Sequence, residues 1–581
     1  MTSEAKNCQN CKTDFVIELE DFQFYEKIQV PPPTWCPECR AFRRHSFWGE
    51  KTLFRKKESR EGKETFSSYS EKSPIKIYER DYWWGDGWDP MTYGREYDFS
   101  KNFFKQFREL MLAVPWPSRS VQQMVNSDYC DQAGYFKNCY LCFNGEGHVD
   151  CLYGVAAVNM KNSIDFYQTE NSELCYEAFN LTDCYQTFFS EDSNDCRNSW
   201  FLKGCIDCSD CFGCVDLRHK QYHIFNQPYS KEEYIKKLKE FNLGSYQSIQ
   251  KLKGEFTKFS LNFPRKYGHL WWNSNVVGEY VYRSKNSRYC YQAVNLENVH
   301  YSQNLSRGTK DTWDYTNWGN NSELIYECSS SGENIKNLKF CYDCWPGCND
   351  LEYSMCCHSS SNLFGCVGLK KKQYCILNKQ YPKEEYEKLV SQIKKQMGVS
   401  PHTDKKGKIY AYGEFFPIDF SPLAYNESSA NDYFPKTREE VLNLGLEWRK
   451  PDQKEYQTTL KNEDIPDHIQ DTGDSITKEN LECGNCERAY KILERELTFY
   501  KRFELPVPRF CFNCRHTERV KLRNPMKWYR RKCMCDNQVF KNTIAHPDHA
   551  ENPCPNEFET SYAPDRPEIV YCETCYNTEV N

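Results

Sequence analysis

A four-cysteine pattern occurs twice in this chain, once near each end, and it constrains the fold more than any other feature. Cys8-x2-Cys11-x24-Cys36-x2-Cys39 recurs with identical spacing as Cys483-x2-Cys486-x24-Cys511-x2-Cys514. Two thiolate pairs, each on a tight turn, are the donor set of a tetrahedral zinc ion. The side chains between them repeat as well: Asn10 and Asn485, Ile17 and Ile492, Phe24-Tyr25 and Phe499-Tyr500, Pro31 and Pro506, Arg40 and Arg515, Arg44 and Arg519. The spacing predicts a duplicated zinc ribbon whose four sulfurs close the coordination sphere and leave no position for water or substrate.

Thirty-three cysteines in 581 residues imply either an oxidised secreted scaffold or a reduced metal-binding protein. The stretch from Met1 to Cys8 contains no apolar run of the kind a signal peptide needs, which favours a reduced, cytoplasmic setting. No run of about 18 apolar residues predicts a membrane span. A net charge of −6 argues against bulk polyanion binding, so any such contact has to come from local patches.

Thirteen cysteines belong to the terminal modules and twenty lie between Cys130 and Cys375. In that middle region Cys130, Cys151, Ser172, Ser193 and Cys214 form one evenly spaced row, and Cys142, Ser163, Cys184 and Cys205 form another with the same interval. Small thiol and hydroxyl residues recurring in register, between short aromatic strands, predict a β-solenoid with two strands per 21-residue coil. A longer repeat divides it in two: residues 212–234 match 364–386 at 15 of 23 positions. After each copy a helix is expected to close the stack, capped by Ser230 with Glu233 in one case and opened by Pro382 in the other. Farther on, Thr437 and Glu440 form a capping box for a helix running to Trp448.

The fold expected is mainly β with minor α: a two-part, Cys- and Tyr-rich β-solenoid body flanked by small zinc ribbons. Its segments are 1–60, a ribbon with a basic tail; 61–125, a connecting segment; 126–245 and 246–400, the solenoid halves with their closing helices; 401–480, an aromatic segment, a short helix and a linker from Pro451; 481–525, the second ribbon; and 526–581, a Cys/His module.

The C-x2-C, Phe-Tyr, proline and C-x2-C-Arg order at both termini resembles a zinc-ribbon domain family whose members carry the same Phe-Tyr and C-x2-C-R signature and whose biochemical role is not settled. The residues before Phe-Tyr depart from that family's usual Glu-Gln, being Phe22-Gln23 and Leu497-Thr498. The resemblance covers about 40 residues at each end, and the whole layout resembles multi-domain zinc-binding proteins of uncultured bacterial lineages. It implies architecture and a zinc cofactor, not an activity.

Beyond the second ribbon lie Cys533, Cys535, His546, His549, Cys554, Cys572 and Cys575. Cys533, Cys535, Cys572 and Cys575 make the simplest zinc set, with His546, His549 and Cys554 as alternate ligands, so two or three structural Zn2+ ions are expected in all. An open three-ligand site there would suit hydrolysis, with Glu557, Glu559 and Asp565 near in sequence, although the local His-Glu pairing of zinc hydrolases is missing. The run Cys205, Cys208, Cys211 and Cys214 has a spacing seen in iron–sulfur ligation, but solenoid packing accounts for it equally.

Each ribbon runs into basic sequence with interleaved aromatic rings. Arg40, Arg43, Arg44, Arg55, Lys56 and Lys57 near the first, and Arg515, Arg519, Lys521, Arg523, Arg530 and Arg531 near the second, are the candidate contacts to RNA, DNA or a ribonucleoprotein. A solvated charged face is the simpler alternative. No phosphate-binding loop, nucleophile elbow or dinucleotide fingerprint occurs. The expected function is a zinc-stabilised cytosolic scaffold or binding protein. An enzyme using a solenoid groove or the C-terminal zinc, and thiol-based metal or redox handling, are the alternatives.

Overall fold

In the middle of the chain the backbone takes positive φ at almost every third residue, as at Asp150 (55°), Asn162 (48°), Leu174 (56°) and Asp183 (53°). Each such residue makes a corner, and Asn and Asp recur there because a short polar side chain tolerates the left-handed conformation. The residue after the corner points into the coil, where only a small side chain fits: Cys151, Ser163, Cys175 and Cys184 are all buried. These interior side chains also bond the backbone. Ser163 Oγ donates to the Lys161 carbonyl at 2.7 Å and accepts from the Cys175 amide, one coil on, at 3.0 Å. Ser172 repeats this with Glu170 and Cys184. On the outside, corner asparagines form a ladder, Asn126 to Asn138 at 3.1 Å and Asn138 to Asp150 at 2.9 Å.

The structure is a computed structural model describing residues 2–450, 456–546, 548–549 and 552–580. It is mainly β, with a two-part β-solenoid formed by the middle of the chain. Strands of neighbouring coils pair in parallel at a 12-residue register, Leu152 with Ile164, Ile164 with Tyr176 and Tyr185 with Arg197. In the second half the register widens to 13, Leu296 with Thr309 and Lys336 with Asn349, before returning to 12 at Asn349 and Ser361. The expected 21-residue coil is therefore corrected. Twenty-one is a multiple of the three-residue unit, so its rows do join inward-facing positions, but they pass from one side of the coil to another.

Both halves close alike. A short antiparallel hairpin, His223–Ile224 with Gln227–Pro228 in the first and Gln373–Ile376 with Lys379–Gln380 in the second, ends the parallel stacking. Helices Lys231–Glu240 and Lys383–Val399 follow, with the Ser230–Glu233 capping box formed and Pro382 at the N-cap. The Thr437–Glu440 box also forms, but its helix is only Arg438–Asn443 and stops well short of Trp448. Gly445, at φ 77°, takes the left-handed turn there that a side chain would resist. The first five residues of the linker from Pro451 lie outside the described residues.

The chain divides into two units, one of residues 1–120 with 268–450 and the other of 121–267 with 451–581. Each contains one ribbon and one solenoid half in crossed order, the first ribbon with the second half and the second ribbon with the first. Residues 61–120 of the connecting segment are an ordered part of the first unit, whereas its last residues, with strand Val121–Gln122, already pair into the first solenoid half. The segment's helix Phe103–Ala113 buries Phe103, Phe104, Phe107, Leu110 and Met111 along one face.

Candidate metal centres

In the first ribbon, strands Glu4–Asn7 and Asp14–Ile17 form an antiparallel hairpin whose turn carries Cys8 and Cys11. Cys36 is the N-cap of helix Pro37–His45, and Cys39 lies in its first turn. The second ribbon repeats this with strands Leu481–Glu482 and Ala489–Tyr490 around Cys483 and Cys486, and with Cys511 capping helix Phe512–Val520. A helix N-terminus favours negative charge, yet in each set the thiol that comes down is a hairpin cysteine, Cys8 or Cys483, while burial and the neighbouring thiols push Cys36, Cys39, Cys511 and Cys514 up.

The four sulfurs of each ribbon lie within 4.8 Å of one another, and either set could hold a metal ion. Metal–sulfur bonds of about 2.3 Å in a tetrahedron place sulfurs about 3.8 Å apart. Cys11 and Cys36 are separated by 3.7 Å, and Cys486 and Cys511 by the same distance. The surrounding donors repeat as well. The Cys36 amide donates to Cys8 Sγ and the Cys511 amide to Cys483 Sγ, both at 3.2 Å. Asn10 and Asn485 donate to Cys39 and Cys514 at 3.1 and 3.3 Å. Burial opposes ionisation of Cys483, yet the amides of Cys511, Cys486 and Asn485 bring its thiol down to about 7.

The helices that carry these cysteines also carry the arginines expected at a nucleic-acid surface, and the structure places most of those inside. Arg40 reaches Asp314 at 2.7 Å; Arg43 reaches Glu327 and Glu414, both at 2.9 Å; Arg44 reaches Asp314 at 3.1 Å and Glu327 at 3.3 Å. All three arginines are buried. In the other unit, buried Arg515 and Arg519 reach Asp165 at 2.8 and 2.9 Å, and Arg519 reaches Glu177 at 3.5 Å.

The receiving residues correspond. Tyr301, Asp314 and Glu327 are corner residues on three successive coils, as are Tyr153, Asp165 and Glu177, all at positive φ. The tyrosines complete the match: Tyr301 donates to Asp21 at 3.0 Å and Tyr153 to Glu496 at 2.9 Å, each acceptor being the acidic residue shortly before Phe-Tyr of the ribbon. Burial pushes the Glu327 and Glu496 carboxyls above the usual carboxylate range, and the neighbouring arginines offset only part of that rise.

Removed from the surface, Arg40, Arg43, Arg44, Arg515 and Arg519 do not contact a polyanion, and the expectation for them is corrected: they fasten ribbon to solenoid. Lys56 is also buried, donating to the Ser70 and Ser73 carbonyls at 3.1 and 2.7 Å, and buried Arg523 donates to Tyr167 Oη at 2.7 Å. Half-buried Arg531 donates to the Ala563 carbonyl at 3.1 Å. Arg55, Lys57, Lys521 and Arg530 are exposed, with Arg55, Lys521 and Arg530 paired with Glu64, Glu518 and Glu557 respectively.

The C-terminal module groups differently from the simplest sequence reading. Cys533 joins Cys554, Cys572 and Cys575, while Cys535 joins His546, His549 and, again, Cys575; within each set the donor atoms lie within 4.8 Å of one another. Cys554, expected only as an alternate ligand, is thus part of the all-thiol set, and Cys535 leaves it for the histidines.

No family model matches the chain. A search of curated proteins finds no match either. Among solved structures, a crystal structure described as a "putative acetyltransferase" from Desulfovibrio desulfuricans aligns with 51% of this chain and 86% of its own at 8% identity, with a TM-score of 0.10, too low to support a shared fold.

The body cysteines are interior packing. Cys205, Cys208, Cys211 and Cys214 each donate to a backbone carbonyl, at 3.4, 3.4, 3.3 and 3.4 Å, and none belongs to the four metal-type groups found among the described residues. Burial pushes the Cys290 thiol up to about 12 and raises those of Cys175, Cys356 and Cys366, whereas hydrogen bonds from neighbouring thiols bring those of Cys139 and Cys208 down. The thiols that burial keeps protonated are neither nucleophiles nor metal ligands. No helix among the described residues is long and apolar enough to cross a membrane.

Proposed function

We propose that this protein is a non-catalytic, zinc-stabilised scaffold in which each ribbon is a metal-set clamp on one solenoid half, leaving other solenoid faces to a macromolecular partner. One observation carries this reading. The same nine-residue helix, Pro37–His45 or Phe512–Val520, holds metal ligands at its start and buried docking arginines in its later turns. Coordination that fixes the helix N-terminus also fixes where the guanidinium groups point. Four thiolates leave no open coordination position for a substrate, which favours a structural over a catalytic role. A cytoplasmic setting suits the unpaired thiols.

The test is chelation of the full-length chain followed by hydrogen exchange. Zinc removal is expected to expose the amides of both ribbon helices and of the coils around Asp314 and Asp165. Unchanged protection at those coils would overturn the clamp.

Of the candidate contacts to RNA, DNA or a ribonucleoprotein, Arg55, Lys57, Lys521 and Arg530 are the exposed ones. Four cations predict weak retention on single-stranded RNA that is lost between about 50 and 200 mM salt. Tight retention at the higher salt would make nucleic acid the partner.

A further inference from the structure

The C-terminal module offers seven soft or borderline donors: the thiols of Cys533, Cys535, Cys554, Cys572 and Cys575 and the imidazoles of His546 and His549. Seven is three too many for one tetrahedral ion and one too few for two separate ions. The geometry resolves this count, because Cys575 Sγ lies within reach of both donor sets. We propose that this module holds two divalent metal ions bridged by the Cys575 thiolate, one bound by Cys533, Cys554, Cys572 and Cys575 and the other by Cys535, His546, His549 and Cys575.

Distances on both sides suit this arrangement. Cys554 and Cys572 are 4.0 Å apart, near the sulfur–sulfur edge of about 3.8 Å expected for zinc with thiolate ligands. Across the second set, Cys535 Sγ lies 3.3 Å from His546 Nδ1, and Cys575 Sγ lies 3.3 Å from His549 Nε2. With metal–nitrogen bonds of about 2.0 Å and metal–sulfur bonds of about 2.3 Å, a tetrahedral edge of about 3.5 Å is expected.

The surroundings orient both imidazoles. His546 turns Nε2 to the buried Glu579 carboxylate at 3.2 Å, leaving Nδ1 for the ion. His549 does the reverse, donating from Nδ1 to the Asn552 carbonyl at 2.6 Å and leaving Nε2. An acceptor behind the ligating ring is the usual outer support of a metal-bound histidine, and Glu579 is the carboxylate form of it. The thiolates are supported as well: the Cys572 amide donates to Cys533 Sγ at 3.1 Å, Asn556 to Cys572 Sγ at 3.4 Å and Asn542 to Cys535 Sγ at 3.2 Å. Five thiolates against two dications leave one net negative charge, less than the two left on each four-thiolate ribbon.

Metal content of the purified full-length chain tests this independently of the scaffold reading, since a single-ion module would leave the ribbons unaffected. With two ions in the ribbons, the wild type is expected to hold four zinc ions per chain. His546→Gln and Cys554→Ser are each expected to lose one ion, and Cys575→Ser two. Three ions in the wild type, or a loss in Cys575→Ser no greater than in His546→Gln, would overturn the bridge. If Cys575→Ser does not fold, the wild type loaded with Co2+ alone decides. Two cobalt ions sharing a thiolate couple magnetically, so the spin-resonance signal per cobalt is expected to fall well below that of isolated ions. Full signal from every cobalt would exclude a shared ligand.

Discussion

Arg44 and Arg519 stand at the same place in the two ribbons, and each binds carboxylates on two successive coils of its solenoid half. Removing one partner of such a buried network leaves uncompensated charge, so Arg44→Ala and Arg519→Ala are each expected to destabilise their own unit by about 3–5 kcal/mol. Arg55→Ala, which breaks an exposed pair with Glu64, should change stability by less than about 1 kcal/mol. Urea unfolding of the zinc-loaded chain, followed separately in each unit by hydrogen exchange, distinguishes the two classes.

His358 makes a second residue-scale prediction. It is buried against Trp83, Trp84 and Trp345, with Nδ1 donating to the Trp345 carbonyl, and burial pushes its pKa from 6.5 down to about 3. The unfolded chain takes up that proton first. The contribution is therefore complete above about pH 6.5 and falls by about 1.4 kcal/mol per pH unit below it, until the folded imidazole itself titrates. The stability gap between wild type and His358→Gln should narrow over that window; a constant gap would contradict the assignment.

At this scale the sequence was readable where identity sets chemistry. Eight cysteines at repeated spacing announced the ribbon ligands. The direction of a charge was not readable, because a run of arginines looks the same whether it faces water or a carboxylate on a coil far along the chain. The bridging role of Cys575 left only a numerical trace, seven donors where four or eight would be expected.

Among the elements, the coil is held by side chains that serve the backbone. Ser172 Oγ donates to the Glu170 carbonyl at 2.7 Å and accepts from the Cys184 amide at 3.0 Å. Ser172→Ala leaves both groups buried without that partner and is expected to cost about 1–3 kcal/mol, whereas Ser172→Cys keeps a small donor and acceptor and should cost less. Exchange protection of the Cys184 amide reads the difference directly.

This double demand for smallness and hydrogen bonding is why serine and cysteine interchange along the interior rows, and it made a solenoid legible from sequence. The coil length was harder to see. All interior positions share the three-residue period, so several of its multiples fit the cysteine rows equally well, and only strand pairing selects 12. Helix Phe103–Ala113 lies outside that logic: its apolar residues follow a helical stripe, in a segment that the cysteine periodicity does not reach.

At the scale of the whole molecule, the architecture of ribbons and a two-part solenoid followed from repeats, because a repeat is a comparison of the chain with itself. The crossed pairing did not. Nothing local in residues 8–44 distinguishes one solenoid half from the other as a dock, since Tyr153, Asp165 and Glu177 and Tyr301, Asp314 and Glu327 present nearly the same column. The choice is written in the remaining contacts of each unit, such as Arg43 with Glu414 on a segment found only beyond the second half.

Crossed pairing also sets a schedule for synthesis. Arg40 leaves the ribosome 274 residues before Asp314. At about 5–20 residues per second, the first ribbon waits roughly 15 to 55 seconds for its dock, whereas the first solenoid half waits for the second ribbon, Arg519 following Glu177 by 342 residues. During the first wait the N-terminal ribbon has its own hairpin and helices, and any metal ion its four thiols hold, but not its solenoid dock. Metal bound in that interval would let the ribbon meet its dock as a preformed unit rather than as a looser chain exposing Trp35, Phe42 and Phe47, all buried once docking is complete.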